Sequence, residues 1–218
     1  MRYTVKGLEV RSENAAKPAG SAGRWLLNWI ADLDCSCRGL DLGCGKLRYT
    51  VPLSRRLRSV VAVDSKIQVD RVQTLFGTKS SVRRYATENL PNVRVYSLNE
   101  GGWRGRRYDV VLCSNVISAI PSRKARSELI ATAHERLRHQ GLFLLTTQFR
   151  NTYFNNWASD PRAIRHCDGF LVKGAKGASF YALLDSDALV RICCKAGFSI
   201  LNSGHARELA FVIATRLR

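Results

Sequence analysis

Residues 39–50 read GLDLGCGKLRYT: an apolar segment that contains Asp41, a turn at Gly43-Cys44-Gly45, and the start of a helix-like pattern. Two glycines between a strand and a helix allow backbone N–H groups to approach a ligand, because no Cβ stands in the way. In α/β sheets, ligands bind beyond the carboxyl ends of the strands, beside the first strand. The stretch therefore predicts a ligand site at this turn.

Apolar runs and amphipathic segments alternate on both sides of the turn. The apolar runs predict strands at 38–42, 59–64, 92–97, 108–114 and 141–147. The amphipathic segments predict helices at 24–34, 48–58, 66–77, 122–140 and 185–197. Segments 198–203 and 208–217 predict a closing antiparallel pair joined through Gly204-His205. We expect Ser122 to begin the longest helix and Gly141 to stop it. Buried strands that alternate with amphipathic helices indicate an α/β sheet covered on both faces.

The composition is that of an ordinary globular protein. The 218 residues are 45% apolar and 24% charged, and we expect one domain over 1–218. Residues 1–23 are predicted as an exposed lead-in, and residues 149–181 as an insertion or lid on the substrate side. We expect neither a membrane helix nor a secretory signal, because no long apolar run is present. Seven cysteines without zinc-ligand spacing predict reduced thiols in the cytoplasm and no metal site.

Charge is the unusual property of this sequence. The chain carries 35 Lys and Arg against 17 Asp and Glu, a formal net charge of +18. The cations occur in clusters, such as RRLR at 55–58 and RGRR at 104–107. A polyanionic partner is the simplest reason for so much uncompensated charge, and solvated helix faces are the alternative explanation. The charge therefore predicts a nucleic-acid partner.

Two carboxylates indicate which ligand the glycine turn binds. Asp64 ends the second strand, 19 residues after Gly45, where a carboxylate accepts hydrogen bonds from both hydroxyls of a ribose. A dinucleotide site also requires a glycine at the sixth motif position, which is Arg48 here. Asp41 would repel a pyrophosphate, whereas it would help to hold a cationic ligand that bears an amino acid. These features favour S-adenosylmethionine over a dinucleotide.

The order of the motifs resembles that of class I S-adenosylmethionine-dependent methyltransferases from about residue 24 onward. The matching segments are LDLGCG (40–45), VVAVDS (60–65), YDVVLCSNVISAI (108–120), LRHQGLFLLTT (137–147) and the terminal segments KAGFSIL and AFVIATR. The resemblance implies a Rossmann-like, seven-stranded, mostly parallel sheet with one reversed strand, helices on both faces and a C-terminal antiparallel hairpin. It also implies an enzyme that converts S-adenosylmethionine to S-adenosylhomocysteine.

The resemblance further implies which residues bind the cofactor. Those expected along its methionine and ribose portion are Asp41, Gly43, Cys44, Gly45 and Asp64. Those expected near its adenine are Ser65, Leu98 and Asn99. Those expected beside the transferring methyl group are Cys113, Ser114 and Asn115.

Two positions depart from the family pattern. Leu47 replaces the third glycine of G-x-G-x-G, which predicts a shifted start of the following helix. Asn99 replaces an Asp that faces the adenine amine, and an Asn oxygen can still accept a hydrogen bond from that amine.

Two classes of acceptor fit the sequence poorly. Members that methylate exocyclic base amines typically carry an Asp/Asn-Pro-Pro-aromatic segment after the fourth strand, where this chain reads Ser114-Asn115-Val116-Ile117. Methylation of pyrimidine carbon 5 requires a cysteine nucleophile. Cys113 lies near that place, but it follows Leu112 inside an apolar strand, so we interpret it as a core residue.

The segment 149–181 interleaves aromatic and cationic side chains. The substrate-binding candidates in it are Arg150, Tyr153, Trp157, Arg165 and Lys173. Rings that stack on bases and cations that contact phosphates are typical of a single-stranded nucleic acid surface, and a lid over the cofactor is the alternative. His166 is the candidate general base, and no other catalytic residue is assigned.

The sequence thus predicts an S-adenosylmethionine-dependent methyltransferase that acts on nucleic acid, RNA ahead of DNA. One alternative is the same chemistry on a small metabolite or natural product. A second alternative is a non-catalytic module that binds nucleic acid with the same fold. A partner protein that supplies specificity is a further option.

Overall fold

Strands and helices alternate through the computed structural model, which describes residues 2–18, 20, 22–149, 157, 160–174 and 177–217. The strands are β1 (Arg2–Val5), β2 (Leu8–Arg11), β3 (Arg38–Leu42), β4 (Ser59–Asp64), β5 (Gln73–Leu75), β6 (Thr78–Ser80), β7 (Val93–Ser97), β8 (Tyr108–Ser114), β9 (Leu137–Gln148), β10 (Ala163–His166), β11 (Gly169–Gly174), β12 (Gly177–Ala182), β13 (Ser199–Ala206) and β14 (Leu209–Thr215). The α-helices are α1 (Arg24–Ala31), α2 (Thr50–Arg56), α3 (Lys66–Asp70), α4 (Val82–Asn89), α5 (Arg123–Arg136) and α6 (Ser186–Lys195). Short 3-10 turns lie at Ser12–Ala15, Gly101–Trp103 and Ile117–Ala119.

Seven of the strands form one sheet, in the order β13-β14-β9-β8-β3-β4-β7. β3 pairs in parallel with β4 and with β8, so that Leu40 lies opposite Val61 on one side and Val111 on the other. β14 is the reversed strand, because it runs antiparallel to both β9 and β13. The predicted seven-stranded, mostly parallel sheet with a closing antiparallel pair is confirmed. The strand order reverses beside β3, which makes the carboxyl end of β3 the expected ligand crevice.

Helices cover both faces of this sheet. Successive residues of a strand point to opposite faces, so neighbours in β8 enter different cores. Val111 packs in the cluster that contains Ile130 of α5, whereas Val110 packs in the cluster that contains Leu53 of α2. Burial on both faces explains why the strands read as uninterrupted apolar runs. Ser122 caps α5 as predicted, with its Oγ accepting from the Ala125 N–H at 3.2 Å.

A second sheet joins the N-terminal residues to the segment after β9. Its order is β1-β2-β12-β11-β10, and β2 pairs with β12 through Val10 opposite Ala178. Val10 and Phe180 are fully buried. The prediction of a lead-in over residues 1–23 is therefore wrong for residues 2–11, which form β1 and β2 of this sheet, although most of their side chains are at least partly exposed. The described part of the predicted insertion or lid over 149–181 forms β10, β11 and β12.

The predicted helix over 66–77 ends early, because a hairpin follows it. α3 stops at Asp70, and β5 and β6 pair across the two-residue loop Phe76-Gly77. Both loop residues have positive φ, 46° and 86°, as a type I′ hairpin turn requires. Helix α4 follows and was not predicted.

Two other boundaries also differ from the prediction. α5 ends at Arg136, and Leu137 already pairs with Tyr108, so Gly141 lies inside β9 rather than stopping the helix. The terminal hairpin turns at Arg207 and Glu208, and Gly204-His205 belongs to β13. Within the described ranges, no helix combines the length and the apolar character needed to cross a membrane.

Candidate functional site

The glycine turn is held against two neighbouring strands at the carboxyl end of β3. The backbone N–H groups of Gly43 and Cys44 both donate to the Val63 carbonyl of β4, at 2.7 and 3.1 Å. Gly43 has a φ of 88°, and a Cβ on it would lie 2.2 Å from the Val116 side chain, which follows β8. Glycine is therefore required at 43 both by the backbone conformation and by the packing.

Asp64 is fixed by the turn that it faces. Its carboxylate accepts from the Gly45 N–H at 2.9 Å and from the Ser65 N–H at 2.6 Å. Burial raises the pKa of this carboxyl, and the two backbone hydrogen bonds oppose that rise. The carboxylate retains lone pairs for further donors, such as the hydroxyls of a ribose.

Asp41 lies in β3 beneath the turn and is almost fully buried. Thr50, at the start of α2, donates its hydroxyl to the Asp41 carboxylate at 2.5 Å. Burial raises the pKa of Asp41 to about 7; the Thr50 bond opposes this rise, and the charge of Asp64 adds to it. A nearby cation would stabilise the ionised form of Asp41.

Leu47 occupies the position of the family's third glycine in a glycine-like conformation. Its φ is 64°, and its side chain is fully buried. α2 begins only at Thr50, so the chain makes turns over residues 46–49 before the helix starts. The predicted shift of this helix start agrees with the structure, and the buried Leu47 side chain holds the turn in place.

A cavity of about 100 Å³ lies over the glycine turn. The predicted residues that line it are Asp41, Gly43, Cys44, Gly45, Asp64, Ser114 and Asn115. Residues Ser12–Glu13 and Ala15–Lys17 also line it, and the sequence interpretation missed them. They follow β2 in a short 3-10 turn, which has no periodic pattern that could have indicated a buried position.

The 12–17 segment is tied down on both sides of the cavity. The Ser12 hydroxyl donates to the Ala119 carbonyl at 2.8 Å, after β8. Arg71, after α3, donates to the Glu13 carbonyl at 2.9 Å, and Arg2 contacts the buried Glu13 carboxylate at 3.3 Å. These contacts fix the segment at the edge of the cavity, where Ala16 lies close to Gly45 of the glycine turn.

The adenine-side candidates lie in a separate cavity of about 440 Å³. Ser65, Leu98 and Asn99 line it together with residues of α5. Cys113 lines neither cavity. It is fully buried in the core, and burial raises the pKa of its thiol. Its interpretation as a core residue agrees with the structure, whereas its expected place beside the transferring methyl group does not, because the Cys113 side chain of β8 points into the core.

Asn115 and Arg48, which line the turn cavity, each carry a buried polar atom without a hydrogen-bond partner among the described residues. The atoms are Asn115 Oδ1, an acceptor, and Arg48 Nε, a donor. Buried polar groups are normally paired, so a small rotation of either side chain toward the cavity would let a ligand satisfy its atom. Across the described ranges, no three His, Cys, Asp or Glu side chains are grouped as a metal site would require.

The substrate-binding candidates are only partly brought together. Arg165, Phe170 and Tyr181 lie opposite one another on β10, β11 and β12, so their side chains share one sheet face. The Trp157 ring stacks on Tyr181 with 4.2 Å between centroids. Lys173 lies opposite Ala178 instead, outside this row. Arg150 and Tyr153 lie outside the described residues.

The candidate base His166 does not line the cavity over the glycine turn. It lies opposite Gly169 in the β10–β11 hairpin, and its ring meets the buried Phe180 ring edge-on at 5.9 Å. The structure therefore does not bring His166 to the cofactor residues.

Fold and site together define a class I S-adenosylmethionine-dependent methyltransferase. Residues 10–203 match the family described as a methyltransferase domain, and the chain belongs to that family. A protein of Escherichia coli strain K12, called uncharacterized protein YmfD, is 33% identical over 203 residues, which cover 93% of this chain and 90% of that protein.

Solved structures share the fold at low sequence identity. The PH0226 protein from Pyrococcus horikoshii OT3 superposes with a TM-score of 0.67 at 14% identity, over 88% of this chain and 86% of that one. The 1,6-didemethyltoxoflavin-N1-methyltransferase from Burkholderia thailandensis, solved with 1,6-didemethyltoxoflavin and S-adenosylhomocysteine, gives 0.58 at 17% identity, over 94% and 80%.

The turn cavity fits the chemistry of S-adenosylmethionine. That cofactor carries an ammonium and a sulfonium, which suit the buried Asp41 and the unpaired oxygen of Asn115. It also carries a carboxylate, which suits the unpaired Arg48 donor. Gly45 leaves room beside the ligand, since a Cβ on it would meet only Ala16, at 3.7 Å.

Proposed function

We propose that this protein transfers the methyl group of S-adenosylmethionine to a small organic acceptor. The observation that carries the proposal is the cavity at the glycine turn. Residues of the 12–17 segment border it, and so do Val116, Ala119 and Ile120. A concave recess beside the glycine turn suits a small acceptor, because small ligands usually bind in clefts.

Residues of the two cavities contact different parts of the cofactor. Asp64 accepts hydrogen bonds from the ribose hydroxyls, and Asp41 and Asn115 face its ammonium. Arg48 pairs with the cofactor carboxylate. The adenine-side contacts are Ser65, Leu98 and Asn99, which border the separate cavity beside α5.

When bound, the cofactor supplies an electrophilic methyl group on a sulfonium. A lone pair of the acceptor would displace the sulfur from this group, and the sulfur would keep the electron pair of the broken bond. The protein contributes by aligning the two partners and by keeping water out. Ser114 lies at the carboxyl end of β8 and lines the cavity beside the Gly43 turn, where it would orient the acceptor.

The fold neighbour from Burkholderia thailandensis supports a small acceptor. Its structure contains a small heterocycle together with the demethylated cofactor. That protein shares only the fold with this chain, so the cavity at the glycine turn remains the main support for the proposal.

A nucleic acid is the second candidate acceptor, and one specific feature favours it. Arg165, Phe170, Tyr181 and Trp157 form a row of one cation and three rings on a single sheet face. Such a row can stack bases and contact a phosphate, and the net charge of +18 would attract the polymer.

Transfer of a labelled methyl group into a cell extract tests the proposal. We expect label in the low-mass fraction that survives both RNase and DNase treatment. Gly43→Ala should abolish this label, because its Cβ would clash with Val116. Label in a polymer that one nuclease removes would refute the small acceptor and support the nucleic acid. In that case the transfer should also weaken steeply with salt.

A further inference from the structure

A groove separate from both cofactor cavities runs between α5 and α6. We name it the α5–α6 groove. It has a volume of about 650 Å³, and none of its lining residues belongs to the cavities described above. Pockets of about 300 to 1,000 Å³ are the size that binds small organic molecules.

The groove is open because short side chains line it. Ala131 of α5, Ala188 of α6 and Ala196 just after α6 line it, and an alanine cannot fill the space between two helices. Ile192 and Leu183 complete an apolar lining, and Leu183 is 41% exposed. A partly exposed apolar side chain in a concave groove suits an apolar ligand.

The rim of the groove is cationic. Arg191 and Lys195 lie one turn apart on α6, and within the described ranges no carboxylate lies within 4.0 Å of either. Arg123 stands on the α5 side, with its side chain 71% exposed and 3.8 Å from Asp168. An incoming anion therefore meets two unpaired cations on the α6 side and a loosely paired, exposed Arg123 on the α5 side.

The remaining charges of the groove are already satisfied. Arg126 is buried beneath the groove, where it makes two hydrogen bonds to Asp168, at 2.8 and 3.0 Å, and one to the Ile120 carbonyl at 2.6 Å. Asp185 is used as the cap of α6, since its carboxylate accepts from the Ala188 N–H at 2.8 Å. Neither carboxylate is left to attract a cation.

We propose that the α5–α6 groove binds a small organic anion with an apolar body, such as an aryl sulfonate or a medium-chain carboxylate. The apolar body packs on Ala131, Ala188 and Ile192, and the anionic group lies between Arg123 and Arg191. A second copy of this chain is disfavoured as the occupant, because two chains of charge +18 repel each other. A nucleic acid backbone could contact the cationic rim but would leave the apolar lining unfilled, so it is also disfavoured.

Binding of two probes tests the proposal: anilinonaphthalene sulfonate, followed by fluorescence, and decanoate, followed by calorimetry. We expect saturable binding of one probe molecule per chain, with decanoate displacing the fluorophore. S-adenosylhomocysteine should displace neither. Displacement by S-adenosylhomocysteine would place the anion in the cofactor site and overturn the proposal, as would the absence of saturable binding.

Two double variants, each of which replaces two cations by glutamate, test whether the probes bind in the groove. Arg191→Glu with Lys195→Glu should weaken both probes by about tenfold or more, since two charge-assisted contacts are lost. Lys79→Glu with Arg94→Glu makes the same change in net charge on exposed residues elsewhere and should change affinity less than about twofold. Equal losses in the two variants would mean that only overall charge matters, which refutes the groove.

A filling variant tests the apolar part independently. Ala131→Phe places a ring in the groove without changing charge, and it should abolish binding of the sulfonate. Near-ultraviolet circular dichroism checks that each variant is folded, and Arg191→Gln with Lys195→Gln replaces the reversal if that variant unfolds. Unchanged binding to folded Ala131→Phe would overturn the proposal.

Discussion

Leu47 is the residue whose substitution best tests how this turn is built. It holds a φ of 64° while its side chain is fully buried. The left-handed conformation costs a non-glycine residue roughly 1–2 kcal/mol, and the burial of a leucine in a core contributes about 3–5 kcal/mol. Leu47 therefore stabilises the protein through its side chain and destabilises it through its backbone.

Substitutions to Ala and Gly separate these two contributions. Leu47→Ala loses the side chain but keeps the backbone cost, and we expect it to lower the free energy of unfolding by about 3 kcal/mol. Leu47→Gly loses the side chain but removes that cost, so it should be more stable than Leu47→Ala by about 1 kcal/mol. This order is the reverse of the usual one in a helix, where Gly is about 1 kcal/mol worse than Ala.

Leu53 provides the matched control. It is also fully buried, but it lies inside α2 and is absent from the residues with positive φ. There, Gly should be less stable than Ala, so the Gly-minus-Ala differences at the two positions should differ by about 2 kcal/mol. Urea unfolding followed by tryptophan fluorescence resolves this as a midpoint difference of about 1 M. If Gly is worse than Ala by the same margin at both positions, the inferred backbone cost at 47 is wrong.

Three further predictions concern the site and its surroundings. Gly43→Ala should abolish binding of S-adenosylhomocysteine in calorimetry because its Cβ would lie 2.2 Å from a neighbouring side chain, whereas Gly45→Ala, with 3.7 Å of space, should retain measurable binding. Burial raises the pKa of Asp41 to about 7, above its value of about 4 in the unfolded chain, so its contribution to stability is full below about pH 4 and is lost as pH rises through 7. As pH rises from 5 to 8, the urea midpoint of Asp41→Asn should therefore increase relative to that of the parent protein. If the difference between the two midpoints stays constant over this range, the pKa of Asp41 is not raised. Asp168→Asn leaves the buried Arg126 without its carboxylate and should lower the free energy of unfolding by about 3–5 kcal/mol. Adding Arg126→Met should restore most of that loss. If the losses of the two single variants simply add in the double variant, this pairing does not stabilise the protein.

The sequence and the structure favour different acceptors of the methyl group. The net charge of +18 and the aromatic residues of 149–181 predict a nucleic acid, a prediction that stays untested. The cavity at the glycine turn favours a small acceptor. Charge and composition describe the whole surface, whereas the shape of the transfer site depends on which segments fold beside it.

The sequence by itself determined the central sheet and the glycine turn at the end of β3. Uninterrupted apolar runs and the G-x-G turn act over a few consecutive residues, with Asp41 just before the turn and Asp64 at a fixed spacing after it, so no long-range information was needed. Ser122 was identified as a cap for the same reason. The same local rules failed for the predicted helix over 66–77, because a type I′ turn ends it at Phe76-Gly77. Phe76 stands where such a turn usually has Asn or Asp, so the sequence did not indicate the turn.

Only the tertiary structure decided what borders the cavity at that turn. Val10 pairs with Ala178 from the other end of the chain, and this pairing carries Ser12 and Glu13 to the cavity beside the glycine turn. Nothing local in residues 12–17 indicates that they line a cavity, because their place arises from contacts with Ala119, with Arg71 and with a strand far along the chain. The α5–α6 groove has the same origin: its alanines look unremarkable in either helix, and they leave a groove only because the two helices lie side by side.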